Sequence, residues 1–130
     1  MTTREPISTD RAPAAAGPYS QAIRAGDLVF TAGQLGIDPA TGALVGDDVA
    51  AQAERALTNL SAILEAAGSG MDRLVKVTVF LAEIGDWPAV NEVYARLVPE
   101  PYPARSALAV KDLPKGALVE IEAVAVVGAG

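Results

Sequence analysis

The sequence predicts a single α+β domain in which two helices cover one face of a β-sheet. Two stretches carry apolar residues at three- and four-residue spacing, as amphipathic helices do, whereas the remaining apolar stretches are rich in β-branched residues, as strands are. Their order along the chain is β-β-α-β-α-β-β. With 130 residues, of which 51% are hydrophobic and 20% charged, the chain is long enough to bury one core.

The first third of the chain predicts a pair of short strands. Residues 19–23 and 28–31 are expected to form them, separated by a turn at residues 25–27 that contains glycine and aspartate. A second turn is expected at residues 38–42, because a proline fixes φ there and a glycine allows a positive φ. Residues 1–12 are rich in threonine, proline and charge, so we expect them to be loosely ordered.

Two helices follow from the apolar spacing. Asp48 is placed to cap a helix over residues 49–67, and Gly68 provides the left-handed residue that ends it. Asp86 and Pro88 open the second helix, since proline is tolerated in a first helical turn. The apolar stripes consist of Val49, Ala53, Leu57, Leu60 and Leu64 in the first helix and of Val90, Val93, Tyr94 and Leu97 in the second.

Three further strands are expected at residues 74–81, 104–110 and 118–127. Strand alternation gives each of them two faces. In the last strand one face carries Val119, Ile121, Ala123 and Ala125, and the other carries Glu120, Glu122, Val124 and Val126. In the strand over 74–81 one face carries Val75, Val77, Val79 and Leu81, and the other carries Leu74 and Phe80. Two helices cover only one face, and no other segment remains to cover the partly apolar second face, so self-association is predicted.

The composition excludes several classes of function. A net charge of −6 with ten scattered Lys and Arg residues argues against nucleic-acid binding. Because the chain has no His and no Cys, it has no zinc site of the usual kind, no Ser-His-Asp or Cys-His nucleophile and no disulfide framework. Glycine-rich phosphate loops, a signal peptide and an apolar run of the roughly 20 residues that cross a bilayer are also missing. A cytoplasmic protein without a metal or a membrane partner is expected.

Two charged residues, Arg105 and Glu120, lie inside apolar predicted strands, where a charge needs a partner or a purpose. From these two residues alone, the commoner interpretation is an ion pair across the sheet. The other interpretation makes the planar guanidinium of Arg105 a bidentate fork for a substrate carboxylate. Glu120 then positions and deprotonates an attacking water. Glu122 is interpreted as a solvated or interface charge.

Several motifs carry a resemblance to a known family. They are Gly17-Pro18-Tyr19, Thr31-Ala32-Gly33-Gln34, Asn91 with Tyr94, Pro103-Ala104-Arg105-Ser106 and Glu120-Ile121-Glu122-Ala123. In this order and spacing the chain resembles the RidA (YjgF-type) family of reactive-intermediate deaminases, from about residue 13 to residue 127. The Pro-Ala-Arg-Ser segment followed at this distance by Glu-Ile-Glu is the most specific part of the match.

The resemblance implies a chorismate-mutase-like fold and a homotrimer with an active site in each cleft between subunits. It implies hydrolysis of 2-imino and enamine acids, such as 2-iminobutanoate and 2-iminopropanoate, to 2-keto acids and ammonia. No cofactor and no metal are implied for this reaction. Arg105 matches the family's carboxylate-binding arginine, and Glu120 matches the glutamate that holds the catalytic water.

Five more positions are implied to border the substrate. Tyr19 matches a pocket tyrosine, Asn91 an asparagine near the pocket, and Gly33 a glycine whose backbone borders the ligand. Two positions depart from the common pattern. Ala32 stands where many members have Ser, which removes a hydroxyl and puts efficiency or substrate preference in question. Ala107 stands where many have Cys, and because that position contacts ligand mainly through its backbone, alanine is expected to serve.

A second hypothesis is a non-catalytic sensor or chaperone-like trimer that binds small carboxylates in the same clefts. Glu120 discriminates the two hypotheses, since a pure binder needs Arg105 but has no use for a carboxylate that activates water. Ribonuclease activity, a third possibility, is disfavoured by the acidic charge and by the absence of His for acid–base chemistry.

Overall fold

The computed structural model describes residues 3–128, and in that part of the chain seven strands and two α-helices follow one another. The strands are β1 (Arg4–Ile7), β2 (Ala22–Ala25), β3 (Leu28–Thr31), β4 (Gln34–Leu35), β5 (Leu74–Leu81), β6 (Ala104–Ala109) and β7 (Val119–Val126), and the helices are α1 (Val49–Ala66) and α2 (Trp87–Leu97). The predicted order of elements is confirmed from β2 onward, with boundaries within one or two residues for most elements. The additions are β1 and the two-residue β4.

The strands form one mixed sheet in the order β1-β2-β3-β7-β5-β6, with β4 also paired to β7. All neighbours are antiparallel except β5 and β6, which are joined through α2 and run parallel. Both helices lie on one face of this sheet, as predicted, and the main core forms between the helices and the sheet. Its fully buried side chains include Leu57, Leu60, Val77, Val79, Leu81, Val90, Val119 and Ile121.

The ends of α1 show why the helix occupies these residues. The Asp48 side chain accepts a hydrogen bond from the backbone N–H of Ala51 at 3.1 Å, which confirms it as the N-cap. At the other end Gly68 has φ +82°, and the N–H of Ser69 donates to the Leu64 carbonyl at 2.8 Å. Within residues 3–128, neither helix is long and apolar enough to cross a lipid bilayer.

The expectation of a loosely ordered segment over residues 1–12 is wrong for most of that range. Residues 4–7 form β1, which pairs with β2, and Ala12 is buried in a small cluster beneath α1. The side-chain amide of Gln21 holds the segment that follows, donating to the backbone carbonyls of Ala12 and Pro13 at 3.3 and 2.8 Å. The Tyr19 N–H donates to the Gly17 carbonyl at 2.8 Å, which marks a local bend, and β2 begins at residue 22 and not at residue 19 as predicted. Residues 1 and 2 lie outside the described residues.

Strand β5 corrects a second prediction, that Val75 shares the core face. The pairing with β7 shifts between Leu74 and Lys76, which marks a β-bulge. The extra residue reverses the alternation, so Leu74 packs against the core while Val75 is exposed. From Val77 onward the predicted faces are confirmed.

The second face of the sheet is left uncovered over much of its area by the described residues. Phe30 pairs with Val124, and Leu28 with Val126, on the face opposite the helices. Phe30 remains 45% exposed, and Leu28, Leu108 and Val126 are exposed as well. An apolar sheet face of this kind is the feature from which self-association is predicted.

Candidate active site

Glu120 lies on the uncovered face, in a cavity of about 580 Å³. It follows the first residue of β7 and pairs with Phe80 on one side and with Leu35 of β4 on the other. The loops before β2 and before β7 wall the cavity, which is lined among others by Tyr19, Ala32, Gly33, Lys115 and Glu120. The structure therefore brings together four of the residues singled out from the sequence, namely Tyr19, Ala32, Gly33 and Glu120.

The Glu120 carboxyl is half-buried, and burial raises its pKa above the usual range. The neighbouring carboxylate of Glu122 raises the pKa further, because two like charges disfavour each other. A carboxylate whose pKa is raised binds a proton more readily, which suits a general base that works near neutral pH.

A bulge between β3 and β4 brings the backbone of residues 31–33 against the Glu120 side chain. Between the paired stretches of β3 and β4, residues 31–33 stand opposite only two residues of β7, 122 and 123. The Thr31 hydroxyl restores one missing contact of the ladder by accepting a hydrogen bond from the Ala123 N–H at 3.0 Å. Gly33 then packs directly on the carboxyl group. A Cβ atom at Gly33 would lie 2.8 Å from Cδ and 2.9 Å from Oε2 of Glu120.

We expect Gly33→Ala to displace the Glu120 carboxylate and to lower the kcat of a reaction that uses this carboxylate by about 10²-fold, because small misplacements of a reacting group are costly. The fold should persist, since Gly33 is not recorded with a positive φ. Gly85→Ala is the matched control, because a Cβ there meets no atom within 4 Å. Steady-state rates and circular dichroism of the two variants check this. Full activity of Gly33→Ala would show that the position of Glu120 is unimportant.

Gln21 connects two walls of this cavity. Its side chain is buried, accepts from the Thr9 N–H at 2.7 Å and donates to the Pro13 carbonyl at 2.8 Å, which fixes the wall that begins at residue 13. Its backbone carbonyl accepts from the Ala32 N–H at 2.9 Å, which fixes the bulge. Tyr19 lies on the loop between these two anchors. A buried amide with these partners is satisfied, so its role is to position the loop.

Arg105 lies on the opposite face of the sheet from Glu120. On β5, Val77 pairs with Arg105 of β6, whereas Phe80 pairs with Glu120 of β7. Paired residues share a face, and successive residues of a strand point to opposite faces. Val77 and Phe80 are three residues apart and lie on opposite faces of β5, so the side chains of Arg105 and Glu120 also point to opposite faces. No ion pair joins them among residues 3–128. The interpretation of the two charges as a cross-strand ion pair is therefore wrong, and a single chain does not bring them together.

The guanidinium of Arg105 is held by one face of α2. Its Cζ lies 4.5 Å from the ring centroid of Trp87 and 4.7 Å from that of Tyr94, both cation–π distances. Its Nη1 donates to Oδ1 of Asn91 at 2.8 Å. Trp87, Asn91 and Tyr94 follow at four- and three-residue spacing, so they share a helix face. With Tyr102, Arg105 lines a cavity of about 450 Å³.

This arrangement leaves Arg105 ready to bind an anion. The side chain forms no ion pair within residues 3–128, and most of its five N–H donors remain available beyond the bond to Asn91. The two rings restrict the plane of the guanidinium, which lowers the entropic cost of binding a planar carboxylate bidentately. Burial raises the pKa of the Tyr94 hydroxyl, against the effect of the Arg105 charge, so Tyr94 stays neutral beside the cation.

Ala107 lies two residues beyond Arg105 on the same face of β6 and packs on the core. The Val110 N–H donates to the Leu81 carbonyl of β5. Because backbone groups alternate in direction along a strand, those of residues 108, 106 and 104 also point toward β5. The N–H and C=O groups of Arg105 and Ala107 then point away from β5, to the outer edge of the sheet. Backbone contacts from Ala107 to a ligand beside Arg105 are thus compatible with the fold.

Sequence reasoning missed Trp87, which packs on Arg105, and also Tyr102 and Lys115, which line the two cavities. Trp87 is the only tryptophan and precedes Asn91 by four residues, so helical spacing places it on the same face and would have indicated it. Lys115 carries no such signal, because only the folded loop brings it to the Glu120 cavity.

The chain matches known proteins over nearly its whole length. The family model described as Endoribonuclease L-PSP matches residues 9–127. The chain belongs to this family, which is also known as the YjgF/RidA family. The RutC family protein y4sK of Sinorhizobium fredii is 56% identical over 120 residues, which cover 92% of this chain and 95% of that protein. The 2-iminobutanoate/2-iminopropanoate deaminase of Bos taurus is 52% identical over 125 residues, which cover 96% and 91%.

Solved structures of the YjgF/RidA family share the fold. The structure of TdcF from E. coli with bound serine has a TM-score of 0.91 and 42% sequence identity, and the match covers 95% of this chain and 99% of that one. The predicted α+β fold and the resemblance to the RidA family are confirmed.

Proposed function

We propose that this chain hydrolyses reactive 2-imino and enamine acids, such as 2-iminobutanoate and 2-iminopropanoate, to 2-keto acids and ammonia. The observation that carries the proposal is the pair of half-sites. One holds an arginine that is fixed by aromatic rings and forms no ion pair within residues 3–128, and the other holds a half-buried glutamate with a raised pKa. The first suits a carboxylate and the second suits an attacking water, which together are the requirements of imino-acid hydrolysis.

The two half-sites require a second copy of the chain to form one site, and we propose a homotrimer with its active sites between subunits. Arg105 lies on the edge strand β6, and Glu120 lies on the uncovered sheet face. In a cyclic assembly the edge of one protomer meets a different surface of the next. Such a contact would place Arg105 of one protomer over the Glu120 cavity of its neighbour, and it would bury the apolar face that carries Phe30 and Leu108.

The chemistry in such a site follows from the two residues. Arg105 binds the substrate carboxylate, which fixes the C=N carbon near Glu120. Glu120 takes a proton from water as the water oxygen adds to that carbon, and the imine nitrogen takes up a proton from solvent as the double bond opens. Glu120 then returns its proton to nitrogen and the C–N bond breaks with its electron pair, releasing ammonia. The remaining hydroxyl loses its proton to form the 2-keto acid.

The names of relatives support this reaction. The Bos taurus relative is named for the deamination of these two imino acids, and the E. coli TdcF structure holds serine, which carries a carboxylate like the substrates. The imine carbon is already electrophilic once its nitrogen is protonated, so the prediction of a reaction without metal or cofactor stands with this proposal. A cytoplasmic location and the absence of a nucleic-acid partner remain predictions from the composition.

The alanine at position 32 affects the expected catalytic efficiency of the site. It lies in the bulge that lines the Glu120 cavity, where a serine would add a hydroxyl. The backbone N–H of Ala32 is already bonded to Gln21, so the alanine offers the substrate no polar group from its side chain or its N–H. We therefore propose a modest change in rate or substrate preference, with the reaction type retained.

The pH dependence gives a test of Glu120 as the base. The base must be ionised, so activity falls as the pH is lowered through the raised pKa of Glu120. Glu122→Gln removes a like charge and lowers that pKa, while burial still raises it. We expect the acid limb of the kcat/KM profile to move to lower pH. An acid limb that stays in place, or moves to higher pH, would contradict the assignment.

The proposal is tested by the release of 2-keto acid from 2-iminobutanoate that another enzyme generates at a constant rate. We expect faster release in the presence of the protein, and we expect a strong chelator to leave the acceleration intact. Arg105→Ala should abolish it. The sensor hypothesis predicts a different result, in which no imino acid is hydrolysed faster but 2-oxobutanoate binds and Arg105→Ala abolishes that binding.

A further inference from the structure

The turn before β7 holds a lysine in an unfavourable backbone conformation. Lys115 has φ +60° and ψ +19°, and it is the only non-glycine residue with a positive φ within residues 3–128. Gly116 follows with φ +67°, and the Ala117 N–H donates to the Pro114 carbonyl at 3.1 Å. A turn whose two central residues both have positive φ favours Asn, Asp or Gly at the first of them. Lysine is a poor choice for the turn itself, and strain of this kind is found at functional sites.

This conformation places Lys115 at the wall of the Glu120 cavity. Lys115 and Glu120 are the two charged residues among those that line it, and most of the others are apolar. The Lys115 ammonium makes no hydrogen bond and no ion pair that the structure records within residues 3–128. In this part of the chain no ion pair joins Lys115 to Glu120. The cavity thus contains a carboxylate and a separate cation.

The cavity reaches from Glu120 to the loop that carries Lys115. A substrate such as 2-iminobutanoate, held by its carboxylate at Arg105 and attacked beside Glu120, has a side chain of two carbons with no charged group for Lys115 to bind. A longer side chain that ends in an anion would reach this loop and meet the cation.

We propose that Lys115 binds the second carboxylate of dicarboxylic 2-imino acids, such as 2-iminosuccinate and 2-iminoglutarate, and so extends the substrate range of this site. The inference rests on the proposed function, because it assigns Arg105 to the first carboxylate and Glu120 to the water. An ammonium on a flexible stem suits this task, since it contacts a carboxylate as a point charge and tolerates side chains of different length.

Binding of product analogues tests the inference in the assembled protein. Isothermal titration with 2-oxobutanoate and 2-oxoglutarate gives a preference for the dicarboxylate as a ratio of two Kd values. We expect the wild-type protein to prefer 2-oxoglutarate and Lys115→Asn to reduce this preference by about tenfold, because a hydrogen bond between charged groups is lost. Asparagine suits the left-handed position, so the variant should fold at least as stably. Lys111→Asn, a change of the same charge in the same loop, should retain the preference.

The outcomes separate this inference from the proposed function. If wild-type protein binds both keto acids equally, or if Lys115→Asn and Lys111→Asn behave alike, the role of Lys115 is wrong while the proposed function stands. If Lys115→Asn weakens both ligands equally, Lys115 belongs to the general carboxylate site and the inference is again wrong. If 2-oxobutanoate does not bind and its imine is not hydrolysed, the proposed function itself fails. Hydrolysis of 2-iminoglutarate that falls in Lys115→Asn and is restored in Lys115→Arg supports the inference.

Discussion

Glu120→Gln is expected to lower kcat for 2-iminobutanoate hydrolysis by about 10²–10⁴-fold, which is the usual loss when a positioned general base is removed. Glutamine is nearly isosteric, so it keeps the shape of the cavity beside Gly33, but it cannot take the proton of the attacking water. Binding of 2-oxobutanoate should persist, because the carboxylate is assigned to Arg105. Single-turnover rates and isothermal titration measure the two quantities separately.

The same variant is expected to unfold at a higher temperature than the wild-type protein. Burial and Glu122 raise the pKa of Glu120 above its value in the unfolded chain, so the ionised form is less stable in the folded protein. At a pH above both values this difference lowers the free energy of unfolding, and a neutral side chain removes it. Exposed Glu83→Gln is the control and should change neither property. If Glu120→Gln is fully active, another group is the base.

The helices and the last strand were predictable because their burial follows local periodicity. In α1 and α2 the apolar residues recur at helical spacing, and the cap by Asp48 and the stop at Gly68 lie in the adjacent sequence. In β7 strict alternation separates Val119 and Ile121, which are buried, from Glu120 and Glu122. Each of these features depends on neighbours along the chain, which is the information that a sequence contains.

The features that were missed depend on contacts distant in sequence. Segment 4–7 has three exposed residues out of four and becomes a strand only because β2 offers an edge to pair with. The bulge at Val75 is set by the register between β5 and β7, which no local pattern reports. Without knowledge of these pairings, the polar composition of the first segment predicts a loose terminus. The alternating run in β5 likewise predicts that Val75 is buried, and both expectations are wrong.

The residues of the candidate site also divide into features that the local sequence predicts and features that depend on distant contacts. Arg105 and Glu120 were singled out as charges inside apolar strands and by motif resemblance, and alternation placed Glu120 on the face away from the core. That Arg105 points to the other face follows from the strand order β7-β5-β6 and from the registers of Val77 and Phe80, which local periodicity does not specify. The proposal that two chains form one site therefore rests on topology, and it leads to the second large expected effect.

Two inactive variants are expected to restore activity when they are mixed. Arg105→Ala and Glu120→Gln should each retain on the order of 1% of wild-type activity or less, because one lacks the carboxylate fork and the other lacks the base. In mixed trimers, a site that takes Arg105 from a Glu120→Gln protomer and Glu120 from an Arg105→Ala protomer contains both intact residues. About a quarter of the sites should have this composition when equal amounts assemble at random, since each residue has an even chance of being intact.

The measurement uses the two variants carrying different affinity tags, co-expressed and purified through both tags, with light scattering to verify that mixed trimers form. Purification through both tags removes the unmixed trimers, and each mixed trimer has one intact site out of three. Activity far above that of either parent, approaching a third of the wild-type value, is therefore the expected result. Mixing either variant with an inactive chain that carries both substitutions is the matched control and should restore none, because no site then receives both residues. If verified mixed trimers stay at the parental level, Arg105 and Glu120 do not meet across an interface. The half-sites on opposite faces of the sheet would then have to act separately, and the base and the carboxylate fork could not belong to one reaction.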